Sequence, residues 1–354
     1  MTEKDYSGAT TRKIGGNAKA SQSSKENFLN KNKEKQKPTK QTPTDEININ
    51  DEEDNQDKKY ENYKKAGQIA KQVKEYAKSI IKKDEKLAEI AEKIEAKIIE
   101  LYGQVAFPVN LSIDDIAAHY TPTLRDETKA NGLLKVDIGV NVNGCICDLA
   151  FTLDLTPEKK YTKLIEASEN ALKEALEEIK KYKEKTTLSQ IGKVINEQIS
   201  KLGFNPIVNL SGHSLDEFEI HSGLTIPNYN NSSTKELGEG VFAIEPFATL
   251  NTGSGSIYEG AGSNIYHLTN ANNQVRDNFS REVLSFILET KKTLPFSSRE
   301  LEKKFSTKAL IAISNLKRAG IISEFPQLIE KNHQPISQAE TSIIIHNNQV
   351  EVLA

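Results

Sequence analysis

Residues 135–148, KVDIGVNVNGCICD, place two aspartates inside a β-hairpin, and this stretch limits the fold more than any other. Val136, Ile138, Val140 and Val142 alternate along the first arm, Asn143-Gly144 is a hairpin turn signal, and Cys145 to Phe151 resume a β-prone run. A carboxylate in a half-buried strand is costly unless something cationic meets it. A two-residue Asn143-Gly144 turn sets Gly139 opposite Asp148 and Asp137 opposite Ala150, making the aspartates diagonal neighbours. A Val142-Asn143 loop would set them face to face. Either register puts both on one face of the sheet, because side-chain direction has period two. Like charges so placed repel unless a proton or a cation lies between them. The competing explanation is an exposed face with solvated carboxylates.

The rest of the chain narrows the choice. Its 354 residues allow two or three domains or one large α/β domain, and a net charge of −3 gives no overall basic field for nucleic acid. The two cysteines, Cys145 and Cys147, lie two apart on one strand face, poor geometry for a disulfide and half of a zinc site, so buried free thiols are expected. Without a hydrophobic signal region or an apolar run near the ~18 residues of a membrane span, a cytoplasmic protein with no membrane partner is expected.

Composition then divides the chain. Residues 1–40 carry ten Lys/Arg against four Asp/Glu, and residues 45–57, DEININDEEDNQD, carry seven acids and no base. Such a stretch buries too little apolar surface to offset ordering entropy, so residues 1–57 are expected to be a disordered basic-then-acidic tail. The tail is either solubilising or an electrostatic arm for an acidic partner such as ribosomal RNA. From about residue 59 the spacing predicts a helix through Ala66, Ile69, Ala70, Val73, Tyr76 and Ile80. EKLAEIAEKIEAKIIELYG predicts a second, with Gly103 as its C′ residue. Thr156-Pro157 is expected to open a third that runs to about Tyr182, and residues 189–202 a fourth, ended by Gly203. Helices alternating with β-rich segments argue for a mixed α/β fold.

Three further stretches carry polar groups that core strands avoid. NLSGHSLDEFEIHSG holds His213 and His221, VFAIEPFAT ends an apolar strand with Glu245 before Pro246, and SQAETSIII heads a short β run with Glu340. Counting one of these histidines with the hairpin aspartates, they make two Asp, two Glu and one His, each in or beside an apolar strand. Five oxygen or nitrogen donors without a thiolate suit a pair of hard or borderline divalent ions such as Mn, Fe, Co or Zn.

These stretches resemble the methionine aminopeptidases of type II, of the pita-bread fold. AFPVNLSIDDIAAHYTP, KVDIGVNVNGCICDLAFT, NLSGHSLDEFEIHSGLTIPN, FAIEPFAT and SQAETSIII match in order and spacing, from about residue 60 to the C-terminus. The resemblance implies a pseudo-two-fold antiparallel sheet covered by helices, an α/β (α+β) fold, in a catalytic domain of residues 58–275 and 336–354. It implies two divalent ions: Asp137 chelates one, Asp148 and Glu340 bridge the pair, and His213 and Glu245 complete the second. His221 and His119 would flank the scissile peptide, with Glu245 as the proton carrier, while Phe107 and Ile220 line an apolar pocket for the methionine side chain. The family usually shows His-Thr after the last glutamate, whereas this chain has Thr341-Ser342. Residues 276–335 read as three short helices and a β-prone run, similar to the helical, winged-helix-like insertion of type II members.

The resemblance implies removal of the initiator methionine from nascent polypeptides with a small second residue, by a monomer whose N-terminal tail is a candidate ribosome contact. The alternative is a non-catalytic ribosome- or RNA-binding paralogue, which would lack the ligand set. A proline-directed aminopeptidase of the same fold would carry a large N-terminal domain. His267, His333 and His346 fit no motif and are expected at the surface.

Overall fold

A computed structural model describes residues 49–354. Most of the expected N-terminal tail, residues 1–48, lies outside them. From Ile49 the chain is already helical, ten residues before the apolar periodicity begins: α1 spans Ile49–Ile80 and α2 Leu87–Glu100. After α2 the left-handed residue is Tyr102 (φ 63), not Gly103. A Cβ on Gly103 would lie 3.1 Å from Ile98 and 3.2 Å from Val140, so close approach is what that glycine permits.

The chain continues through β1 (Gln104–Ile113), β2 (Ile116–Ala118), β3 (Leu133–Val142) and β4 (Cys145–Asp154). Strands β1, β3 and β4 form an antiparallel sheet in that order. The hairpin turns at Asn143-Gly144, pairing Gly139 with Asp148 and Asp137 with Ala150, so the aspartates are diagonal neighbours. Ile138 pairs with Leu149 and Val140 with Cys147 on the opposite face, which packs under Ala66, Ala70 and Val73 of α1 and Ile90, Ile94 and Ile98 of α2. Both cysteines are buried free thiols.

The second half repeats the plan. Helices α3 (Thr162–Tyr182) and α4 (Leu188–Lys201) precede β5 (Asn205–Pro206), β6 (Ser211–Leu215), β7 (Thr225–Pro227), β8 (Gly240–Ile244) and β9 (Phe247–Thr249). Helix α3 begins later than Thr156-Pro157 because the Asp154 carboxylate accepts the Thr156 and Tyr161 backbone N–H groups at 2.9 and 2.7 Å, holding the intervening residues in a turn. A capping box of Thr187 and Gln190 starts α4, and Gly203 (φ 82) follows its end.

Next come β10 (Ile257–Leu268), α5 (Asn278–Thr290), β11 (Phe296–Ser297), α6 (Ser298–Phe305), α7 (Ala309–Arg318), β12 (Ile322–Glu330), β13 (Ile336–Gln338), β14 (Thr341–His346) and β15 (Gln349–Val352). A five-stranded sheet, β15-β14-β8-β6-β7, sits against α3 and α4 through Ile244, Ile343, Ile345, Leu164, Ile191 and Ile195. Each half is thus a helix pair over an antiparallel sheet, as expected of the pita-bread fold. The halves join where Glu340 N donates to Ala150 O at 2.9 Å and Ala150 N to Glu340 O at 3.3 Å. Within 276–335 the three expected helices pack around their own apolar core, including Val283, Phe296 and Leu316. Strand β12 returns from them to pair with β10 and β2.

His267 and His346 are half-buried, one ring 4.4 Å from Phe325 and the other stacked 4.2 Å from Tyr60, whereas His333 is exposed. Among the described residues no helix is long and apolar enough to cross a membrane.

Candidate metal centre

The join between the halves is where the polar strand residues meet. Asp137 and Asp148 project from the hairpin face that turns away from the helices. His213 comes from the middle of β6, Glu245 directly follows β8, and Glu340 lies between β13 and β14. Strand β6 reaches β8 closely because residue 212 is glycine; a Cβ there would lie 2.4 Å from the Ala243 carbonyl oxygen. Buried Asn228 fixes the backbone beneath, donating to the carbonyls of Leu210 and Glu245 at 3.1 Å each.

Asp148, His213 and Glu340 each offer a donor atom, all within 4.8 Å of one another. His213 Nε2 lies 3.8 Å from an Asp148 oxygen and 3.7 Å from Glu245 Oε1. Asp137 and Glu245 stand outside that tight trio but line the same cavity, of about 430 Å³. His119, His221, Phe107 and Ile220 line it too, so all nine residues singled out from sequence meet there. Asn110, Asn209, Phe325 and Leu328 join them without having been expected. Asn110 carries the signal that exposed the aspartates, a polar residue inside an apolar strand. Phe325 arrives from the distant strand β12.

Electrostatically the cluster is incomplete. Burial, together with the neighbouring carboxylates, pushes Asp148, Glu245 and Glu340 well above the usual carboxylate range, and burial raises Asp137 to about 7. Among the described residues no Lys or Arg forms an ion pair with any of the four. Asp137 Oδ1, Asp148 Oδ1 and His213 Nδ1 are buried without a hydrogen-bond partner. Burial, with His221 adding to it, lowers His213 to about 3, so its imidazole is neutral, the form that binds metal. Four crowded acids, a neutral imidazole and orphaned buried donor atoms are what divalent cations would satisfy.

Side chains behind the donors hold them in place. Gln338 Nε2 donates to Glu340 Oε2 at 3.1 Å. Ser342 Oγ accepts the Asp148 N–H at 2.8 Å and donates to the Asp148 carbonyl at 2.9 Å, so this residue ties β14 to β4. Thr341 points elsewhere, to the Ala354 carbonyl. Thr341, where the family usually has histidine, therefore makes no hydrogen bond to the carboxyls here.

Two histidines complete the wall. Ser214 Oγ accepts from Ser222 Oγ at 2.8 Å and Leu224 N at 2.9 Å, folding the loop so that the His221 ring lies 4.4 Å from that of His213. His119 follows β2 in the left-handed region (φ 62), an uncommon conformation for a non-glycine residue. Its Nδ1 lies 3.3 Å from the Pro326 carbonyl, and burial lowers its pKa to about 4. Across the cavity Phe107 packs on Gly139, where a Cβ would meet the ring at 2.3 Å.

Comparisons with known proteins identify the family. The model of metallopeptidase family M24 matches residues 61–271. A methionine aminopeptidase of Methanocaldococcus jannaschii is 40% identical over 296 residues, 83% of this chain and 97% of its own length. One of Pyrococcus horikoshii is 41% identical over 293 residues, 81% of this chain and 96% of its own. Among solved structures, a thermophilic Arx1 shares the fold with a TM-score of 0.68 at 19% identity, covering 83% of this chain and 90% of that one. A methionine aminopeptidase from Thermotoga maritima shares it with 0.55 at 19%, covering 83% and 95%. The chain belongs to metallopeptidase family M24, among its methionine aminopeptidases.

Proposed function

We propose that this metallo-aminopeptidase removes the initiator methionine from nascent proteins with a small second residue, using two divalent ions held by Asp137, Asp148, His213, Glu245 and Glu340. The observation that carries the reading is the set of buried, unpartnered carboxylate and imidazole atoms opening on one apolar-walled cavity. When bound, such ions acidify water and polarise a peptide carbonyl. Glu245, at the cavity edge beside His213, takes the proton of the attacking water and passes it to the leaving amine. His221 donates to the carbonyl oxygen as negative charge develops there. His119 is neutral, and its Nδ1–H donates to the Pro326 carbonyl, which leaves Nε2 as an acceptor for a substrate N–H. Phe107 and Ile220 accept the methionine side chain, whose burial is worth about 1.5–3 kcal/mol.

The test is hydrolysis of Met-Ala-Ser against Leu- and Pro-led analogues after loading with Mn(II), Co(II), Fe(II) or Zn(II). Selective release of methionine, with two ions per chain by elemental analysis, supports the reading. Preference for the Pro-led peptide, or intact peptides despite bound metal, refutes it. The basic residues 1–40 would give a ribosome contact that weakens steeply with salt. Co-sedimentation at low and high salt measures this; salt-independent or absent association refutes it.

A further inference from the structure

The insertion helix α6 supplies Arg299, only 1% exposed although it is an arginine. Its position relative to a break in β1 is informative. The register of β1 on β3 shifts between Val105 and Phe107 and again between Phe107 and Asn110. This irregularity turns Phe107 and Asn110 to the cavity, and the Val109 amide and carbonyl find their partners in side chains. The Val109 N–H donates to Glu95 Oε1 of α2 at 3.2 Å, and the Val109 carbonyl accepts from Thr121 Oγ1 at 2.9 Å. Arg299 holds both of these partners. Its Nη2 pairs with Glu95, and its Nη1 donates to Thr121 Oγ1 at 3.2 Å and to the Pro122 carbonyl. Thr121 and Pro122 lie two and three residues after His119. A second clasp, Arg125 to Glu302 of α6 at 2.9 Å, ties down the same loop.

We propose that Arg299 is a positioning residue for substrate: one guanidinium from the insertion holds the β1 bulge and the loop behind His119, so that Phe107 and His119 face the cavity together. The insertion is then part of the methionine site, not an appendage beside it. This rests on the reading of Phe107 and His119 as substrate walls. The planar fork suits the task, since it serves a carboxylate, a hydroxyl and a carbonyl in fixed directions that a lysine ammonium does not reproduce.

The experiment uses the full chain carrying Arg299→Met, Arg299→Lys or Thr121→Val. KM and kcat for Met-Ala-Ser are read beside Mn(II) binding by calorimetry and the His119 ring resonances by NMR. Arg299→Met should raise KM about tenfold or more at near wild-type Mn(II) affinity, the scale of a displaced substrate wall. Arg299→Lys should recover part of that loss. A merely structural role would lower folded fraction, metal stoichiometry and kcat together with KM unmoved, and would overturn the proposal. If Arg299→Met does not fold, Thr121→Val decides. It keeps the Glu95 pair but removes the hydroxyl between Arg299 and Val109, so a raised KM and shifted His119 signals support the proposal and unchanged ones overturn it. If the wild type binds Mn(II) but leaves Met-Ala-Ser intact, the reading of the cavity fails, and the His119 resonances still decide the clasp.

Discussion

Replacing Gly139 with alanine tests whether the cavity wall depends on one absent side chain. The new Cβ would stand 2.3, 2.5 and 2.9 Å from three carbons of the Phe107 ring. Carbon atoms at rest stay about 3.5–4.0 Å apart, so the ring must retreat by more than about 1 Å. Phe107 is 7% exposed and belongs to the main core, so retreat in one direction displaces packed neighbours and in the other fills the cavity. Overpacking of this kind costs about 1–3 kcal/mol. Residue 139 is in an extended strand, so the backbone itself resists nothing. Urea unfolding of the metal-free protein should show that loss at an unchanged slope, and KM for Met-Ala-Ser should rise. Adding Phe107→Leu should restore part of the stability, because leucine lacks the clashing ring edge. A Gly139→Ala variant within about 0.5 kcal/mol of wild type, the range of ordinary surface changes, and with unchanged KM would refute the reasoning.

Three further outcomes are expected. Ser342→Ala leaves the buried Asp148 N–H without its acceptor, which should cost about 1–3 kcal/mol by chemical unfolding and weaken Mn(II) binding; wild-type values for both would show that this tie is idle. Mn(II) at 100 times its Kd should raise unfolding free energy by about 2.7 kcal/mol. Asp148→Asn should abolish that shift while leaving the metal-free protein at least as stable, since it removes one of four crowded acids; a persisting thermal shift would contradict the ligand assignment. Burial alone would raise Glu330, but hydrogen bonds from the Gln334, Ser254 and Asn332 backbone amides and the Ser254 hydroxyl hold it below its ordinary value. Its contribution is therefore full above the unfolded glutamate pKa of about 4.3 and is lost as pH falls through the lower folded value. Glu330→Gln should flatten the acid limb of the stability–pH curve, and an unaltered limb would remove Glu330 as its cause.

Much of the site was legible because it violates local rules. A strand of alternating valines has no local use for Asp137, nor does the apolar run before Pro246 for Glu245, so these residues stood out from the chain alone. The turn signal left two registers open, and the structure takes the Asn143-Gly144 one that makes the aspartates diagonal. The same rule would have found Asn110. It would not have found Phe325, an aromatic in a β-prone run that looks like any core residue until β12 pairs beside β2. The later start of α3 also escaped it, because Asp154 reaches across seven residues to cap the Tyr161 amide.

Periodicity, turn chemistry and the cost of burying charge act between residues a few positions apart, and these determined the helices, the hairpin and the expectation that five polar groups hold a pair of cations. Contacts between distant segments answer to volume and direction, which no local pattern encodes. Only the packed structure sets Glu340 against Ala150 to close the ring of donors and leaves Gly139 bare for Phe107. It also brings Arg299 of α6 onto Glu95, 204 residues away, and onto Thr121.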